Sequence, residues 1–362
     1  MIAFRPVKLY LLVLAILPAI LVPTGVIAQT GEKMYFSCDM PMGNVAVSPD
    51  DSGPFQCFFT LHPEGKPGWN KVFEVRDSRA VPFPDSVFQE RFISPLGIYQ
   101  DRQHRLWVLD HGNYALKNPC LYAFDARTGE LILCHPFSRE VVRKWVMLND
   151  LSVTPDGKFV VISAPGMFKK RSSIIVYDIA GKKARRILTD HPTVMRKKIL
   201  PSVDGRKMRF LLGLYKVRPG VDGIDIDPQG RYVFYAAMAD TVLYRIPVDA
   251  VTDPGLNDEN LSALIQTVGY RPLCDGIRCG RNELVYITDF QHHRILAMDP
   301  DGNTMVIVEN NDIRWADGLS VGGDGFLYIT DSALQHVILK KKKKFQKRAP
   351  FGIWRIKVES GS

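Results

Sequence analysis

Val221 to Arg245 reads VDGIDIDPQGRYVFYAAMADTVLYR. Asp222-Gly223 opens a short alternating segment with Ile224 and Ile226, and a Pro228-Gln229-Gly230 turn follows. A second apolar run covers Tyr232 to Ala236 and, after a polar break, a third covers Val242 to Ile246. Short runs rich in β-branched and aromatic residues, cut by Gly, Pro and Asp turns, predict antiparallel strands joined by hairpins. The unit is a β-meander.

The same unit recurs. Asp275-Gly276-Ile277 leads to LVYITD and RILAMDPDG, and Asp317-Gly318-Leu319 leads to FLYITD and GIWRIKV. Asn149-Asp150-Leu151 leads to TPDGKFVVIS and IIVYDIAGK, and Leu96-Gly97-Ile98 leads to LWVLD and LYAFDARTG. Gly43-Asn44-Val45 begins a degenerate copy. The anchors Gly43, Leu96, Asn149, Asp222, Asp275 and Asp317 are spaced by 53, 53, 73, 53 and 42 residues. Six small sheets, each unable to bury both faces alone, predict an all-β, six-bladed β-propeller over residues 34–358. A large β-sandwich or two all-β domains would use the same strands. Register argues against both, because an apolar residue stands ten positions after each later anchor: Leu106, Phe159, Tyr232, Val285 and Leu327.

Residues 1–28 have the form of a signal peptide: Arg5 and Lys8, an apolar run from Leu9 to Val22, then Val26-Ile27-Ala28 as a cleavage site. A spanning anchor needs about 20 apolar residues, and Pro18 and Pro23 interrupt this run. The mature chain is therefore expected to be secreted or periplasmic, with no transmembrane anchor after cleavage. The formal charge of +9 owes much to one loop, Lys340, Lys341, Lys342, Lys343, Lys344, Lys347 and Arg348. The rest is close to neutral, so no nucleic-acid partner is expected, and the lysine run offers a point of anionic contact. Six cysteines in an exported chain point to bridges rather than metal ligands. Cys120 and Cys134, placed symmetrically about the turn at Asp125 to Gly129, are the first expected pair; Cys38 with Cys57 is the second, and Cys274 with Cys279 stays undecided.

The 73-residue spacing reflects an insertion between Ala184 and Pro219 that is both basic and apolar, ending in MRFLLGLYKVR. Because it leads into Asp222, it is expected near the channel rim, although a solvated surface excursion fits equally.

Innermost propeller strands line the channel, so the anchors should form a ring there. Asn149, Asp222, Asp275 and Asp317, with Asp150 beside the first, would converge as ligand-binding residues. Converging carboxylates need a cation, shared protons or basic partners. Asn149, Asp222, Asp275 and Asp317 carry the oxygens a hard divalent cation takes, Ca²⁺ foremost. The competing reading is that each Asp caps the turn before its own strand. A second recurrent acid, Asp110, Asp289 and Asp331, closes the second strand and reads as a structural cap. His111, His292 and His293 stand close enough for acid and base work with it.

The order LWVLD, LYAFD, LNDLSVTPDG, VDGIDIDPQGRYVFYA, LYRIP, DGI with VYITD, and WADGLSVGGDGFLYITDS resembles the major royal jelly protein and Yellow family, including its bacterial dopachrome tautomerase-related members. The resemblance runs from about residue 43 to the end. It implies a secreted six-bladed propeller, small-molecule binding in some members and dopachrome conversion in others. The related senescence marker protein and gluconolactonase propellers hold a divalent ion with a Glu from the first repeat and Asn and Asp from later ones. Asn149, Asp222, Asp275 and Asp317 match the later parts, while Gly43-Asn44 stands where the Glu would be. The leading expectation is a binding protein for a small polar or aromatic molecule at the channel mouth. A divalent-metal-dependent lactonase-like hydrolase or dopachrome-type isomerase is the alternative, and a protein-interaction scaffold is a third.

Overall fold

The computed structural model describes residues 32–166 and 171–358; the leader expected at 1–28 lies outside them. Six four-stranded antiparallel sheets form the six blades of a β-propeller. Blade 1 is Met42–Val47, Cys57–Leu61, Val72–Arg76 and Arg79–Pro82. Blade 2 is Pro95–Gln100, Arg105–Asp110, Cys120–Asp125 and Leu131–Pro136, and blade 3 is Leu151–Val153, Phe159–Ala164, Ser173–Asp178 and Lys183–Ile187. Blade 4 is Val221–Ile226, Tyr232–Ala237, Val242–Pro247 and Gln266–Tyr270, and blade 5 is Ile277–Cys279, Val285–Asp289, Arg294–Met298 and Thr304–Glu309. Blade 6 takes Ala316–Val321, Phe326–Asp331 and Phe351–Lys357 from the C-terminal region and its outermost strand, Lys33–Cys38, from the N-terminal one. Met34 pairs with Trp354 and Cys38 with Phe351. This closes the ring through backbone hydrogen bonds and covers the outer edge of Phe351–Lys357.

Blades are held to one another by apolar faces rather than by ladders. Val161, Ile174 and Val176 of blade 3 pack with Ile224, Val233 and Tyr235 of blade 4 in one buried cluster. Each such side chain contributes roughly 1.5–3 kcal/mol by leaving water. Near the axis the inner strands come too close for side chains on both. A Cβ on Gly97 would collide with the Asn149 carbonyl, one on Gly223 with the Asp275 carbonyl, and one on Gly276 with the Asp317 carbonyl. The glycine after Leu96, Asp222 and Asp275 is thus set by blade-to-blade approach, and the side chains of Asp222 and Asp275 reach the channel mouth.

Two excursions leave this frame. The insertion between blades 3 and 4 folds into two small hairpins, Ser202–Val203 with Arg206–Lys207 and Arg209–Phe210 with Tyr215–Lys216. Within blade 6 the connection to Phe351–Lys357 carries two short helices, Leu334–Val337 and Lys342–Phe345. The two excursions share one buried cluster, with Val203, Met208 and Val217 beside Val337, Ile338 and Phe345.

Cys120 and Cys134 lie on paired neighbouring strands, their sulfurs 3.4 Å apart as thiols, and the other four cysteines are thiols as well.

Candidate functional site

At the mouth where the inner strands begin, Asn149, Asp222, Asp275 and Asp317 line one small cavity. Its volume is about 40 Å³, room for an ammonium group or a few waters. His62, Glu64 and Tyr114 line it from blades 1 and 2, Tyr215 and Val217 from the insertion, and Leu334 and Ile338 from the blade 6 excursion. The expectation that the insertion reaches the rim is met.

The anchor carboxylates are not turn caps. In blades 1, 3, 5 and 6 a backbone N–H that opens the inner strand is taken instead by a hydroxyl one position before the end of the second strand, where blades 2 and 4 carry Leu109 and Ala236. Thr288 Oγ1 accepts from Asp275 N at 2.9 Å and Gly276 N at 3.2 Å, Ser163 Oγ accepts from Asp150 N at 2.9 Å, and Thr330 Oγ1 accepts from Gly318 N at 2.9 Å. In blade 1, Thr60 Oγ1 accepts from Asn44 N at 3.0 Å. With the caps supplied elsewhere, the anchors reach sideways. The Asn149 amide donates to Asp222 Oδ1, and the indole of Trp315, stacked on Phe290 at 4.2 Å, donates to Asp275 Oδ2 at 2.6 Å.

Among the described residues no basic side chain lines this cavity apart from His62, which is held neutral. His62 Nδ1 accepts from Glu64 N at 3.1 Å. Its proton therefore sits on Nε2, 3.7 Å from Asp317 Oδ2. Burial, with His111 nearby, pushes the His62 pKa down to about 3. The carboxyls move the other way. Burial raises Asp275 to about 7 against the Trp315 hydrogen bond, and Asp222 and Asp317 are raised well above the usual range by burial and by the charge of Asp275. Asp222 Oδ2 and Asp317 Oδ2 are buried with no hydrogen-bond partner. The cluster is a set of buried carboxyls that hold their protons to higher pH than free ones do.

Asp150, the fifth expected residue, does not line this cavity. Its Oδ1 accepts from the Asn44 amide, and it senses Asp275 on one side and Arg278 with Asp225 on the other, which places it inside the channel. Among the described residues no group of three or more His, Cys, Asp or Glu side chains is arranged to hold a metal ion. Asp222 Oδ1 and Asp275 Oδ2 already accept from Asn149 and Trp315, so a hard cation, which takes six to eight oxygens, would compete with those hydrogen bonds.

Asp110 and Asp331 are structural caps, while the third second-strand acid, Asp289, is buried and paired with Arg294 at 2.7 Å. Asp110 accepts from Ile93 N, Ser94 N and Gly112 N at 2.5, 2.8 and 2.9 Å, and Asp331 accepts from Trp315 N at 3.1 Å and pairs with Arg314. Of the acid and histidine neighbours, His292 does meet Asp289 at 2.8 Å, but at the surface; His111 turns instead to Tyr114 N at 2.9 Å.

A larger cavity of about 240 Å³ lies at the opposite mouth, where the inner strands end. Its acids are already engaged: Asp101 by Arg105 and Trp107, Asp227 by Arg231, and Asp225 by Ser152 and Cys279 N. The residues sequence reasoning missed are His62, Glu64 and Tyr114. They come from loops outside the repeat register, where periodicity carries no signal.

Three solved propellers share the architecture. A calcium-binding regucalcin from Agrobacterium tumefaciens is 13% identical with a TM-score of 0.58, the match covering 91% of this chain and 95% of that one. A gluconolactonase from Xanthomonas campestris is 13% identical with a TM-score of 0.55, covering 90% and 88%. A luciferin-regenerating enzyme is 11% identical, also at 0.55, covering 90% and 94%. At these identities the likeness is one of fold. No curated protein sequence matches the chain. The family profile described as major royal jelly protein matches residues 93–361, which is blades 2 to 6, and the chain belongs to the major royal jelly protein family.

Proposed function

We propose that this is an exported binding protein that holds a small polar or aromatic molecule at the acid mouth, and that the bound molecule carries a positive charge. The observation that supports this is the pair of buried, unpartnered oxygens on Asp222 and Asp317 in a cluster whose sole basic side chain among the described residues, His62, is held neutral. An ammonium group brings the donors and the charge that both oxygens lack. Tyr114 and Tyr215 add aromatic side chains to the lining of the same cavity, and Leu334 and Ile338 add apolar ones, a mixture that suits an aromatic cation. The cavity takes the charged head, leaving the body of the ligand toward the insertion.

Export rests on the expected leader and the family. Among the described residues no helix is long and apolar enough to cross a membrane.

A divalent-cation enzyme, a lactonase-like hydrolase or dopachrome-type isomerase, is the second reading, favoured by the same two oxygens. Asn149, Asp222, Asp275 and Asp317 would have to release one another to hold Ca²⁺, which when bound would polarise an oxygen of the substrate. Melting curves in chelator, with tyramine or with millimolar Ca²⁺, separate the readings. A rise with tyramine that disappears in Asp222→Asn supports the binding protein; a rise with Ca²⁺ alone refutes it in favour of the enzyme.

A further inference from the structure

The rim around the acid mouth carries chemistry that the site does not use. The tip of the second insertion hairpin displays Leu211, Leu212 and Leu214, which are 64%, 106% and 89% exposed. The tip is built rather than frayed: Arg209 pairs with Lys216 and Phe210 with Tyr215 across the hairpin, and Val217 behind it is buried. Around the leucines stand the exposed side chains of Arg206, Lys207, Arg209 and Lys216.

The blade 6 excursion adds exposed Lys340 to Lys344, Lys347 and Arg348, held against the body by buried Phe345. The two segments are packed together. Besides their shared apolar cluster, Gln335 donates to Asp204 Oδ2 at 3.3 Å, and His336 stands 3.9 Å from the same carboxylate. Asp204 is the sole acid between 201 and 218, it also meets His293 at 2.9 Å, and there is none from 338 to 349. The rim is therefore one basic surface with an apolar point.

Polyanions in solution would satisfy the lysines and leave three leucines in water. A lipid surface with anionic headgroups satisfies both, because apolar side chains enter the headgroup and acyl boundary while the basic collar meets phosphate. We propose that this rim docks the protein onto anionic membranes. Tyr215 and Val217 from one segment, and Leu334 and Ile338 from the other, line the acid cavity, so docking turns that mouth toward the lipid. The proposal goes beyond the ligand reading and stands if that reading fails.

The test is sedimentation with vesicles of phosphatidylcholine, alone or with a third of phosphatidylglycerol. It uses the chain starting at Gln29, which retains every described strand. The expected result is binding to the phosphatidylglycerol vesicles that weakens with salt. Leu212→Ser with Leu214→Ser should lower it at least about tenfold, and each of Lys341→Gln and Lys343→Gln about fivefold. All four residues are exposed, so the variants should melt with the parent. No binding to phosphatidylglycerol vesicles would overturn the proposal. So would leucine variants that bind as the parent does, because that result reduces the surface to a simple polyanion patch.

Discussion

Asp275→Asn should make the protein more stable, and more so as pH rises. The parent carboxyl titrates at about 7 in the folded ring against 3.8 when free. Between those values the folded state keeps a proton that the unfolded chain has released, so parent stability falls across that window and the loss is complete above the folded value. The shift corresponds to about 4 kcal/mol of destabilisation at pH 8. Asparagine keeps an acceptor for the Trp315 indole but loses the charge assistance of the 2.6 Å bond, at a cost of about 1 kcal/mol. The net gain is about 3 kcal/mol at pH 8, shrinking to nothing near pH 4. For a ring of this size, with an unfolding entropy of about 0.7 kcal/mol/K, that is roughly 4 °C in Tm. Melting curves of parent and variant in chelator between pH 4 and 9 measure it. A variant that melts below its parent at pH 8, or a difference that does not change with pH, would refute the buried acid cluster.

Other parts of the structure make separate demands. Thr288→Val strips the acceptor from two buried N–H groups and should lower stability by about 2–4 kcal/mol, read from chemical denaturation. Oxidation should join Cys120 to Cys134, 3.4 Å apart as thiols, and raise stability by about 3 kcal/mol; thiol counting in denaturant should then find four free thiols rather than six, if no other pair forms. Deleting Lys33–Cys38 exposes the edge of Phe351–Lys357 and should turn a cooperative melt into early aggregation, seen by light scattering against temperature.

The repeat was legible because blades need it: Asp-Gly at the start of Val221–Ile226 and ITD at the ends of Val285–Asp289 and Phe326–Asp331 recur for structural reasons that composition cannot hide. Four of the five expected ligand-binding residues line one cavity for the same reason, since repeat position sets their place on the ring. Asp150, one residue along, faces the channel interior because strand alternation turns its side chain away. Two features were not legible. Lys33–Cys38 reads as an ordinary strand, and only ring closure gives it a partner more than 300 residues away. The wall of His62, Glu64 and Tyr114 comes from connections where no period applies. The hydroxyl caps at Thr60, Ser163, Thr288 and Thr330 stand in the sequence as a Ser or Thr near the end of four of the six second strands, and in those blades they take the cap role from the anchor.

Entry of a cationic molecule into a cluster of carboxyls that otherwise holds protons must displace protons. Its most direct measurement is calorimetry of tyramine binding near pH 6 in two buffers of different ionisation enthalpy, for the parent and for Asp275→Asn. The parent should bind and release about one proton per ligand, because a cation beside Asp222, Asp275 and Asp317 returns their pKa values toward the ordinary range. The variant should bind more weakly and release less. Saturable binding with no proton exchanged, or no binding at all, would rule out a cationic ligand among these carboxyls.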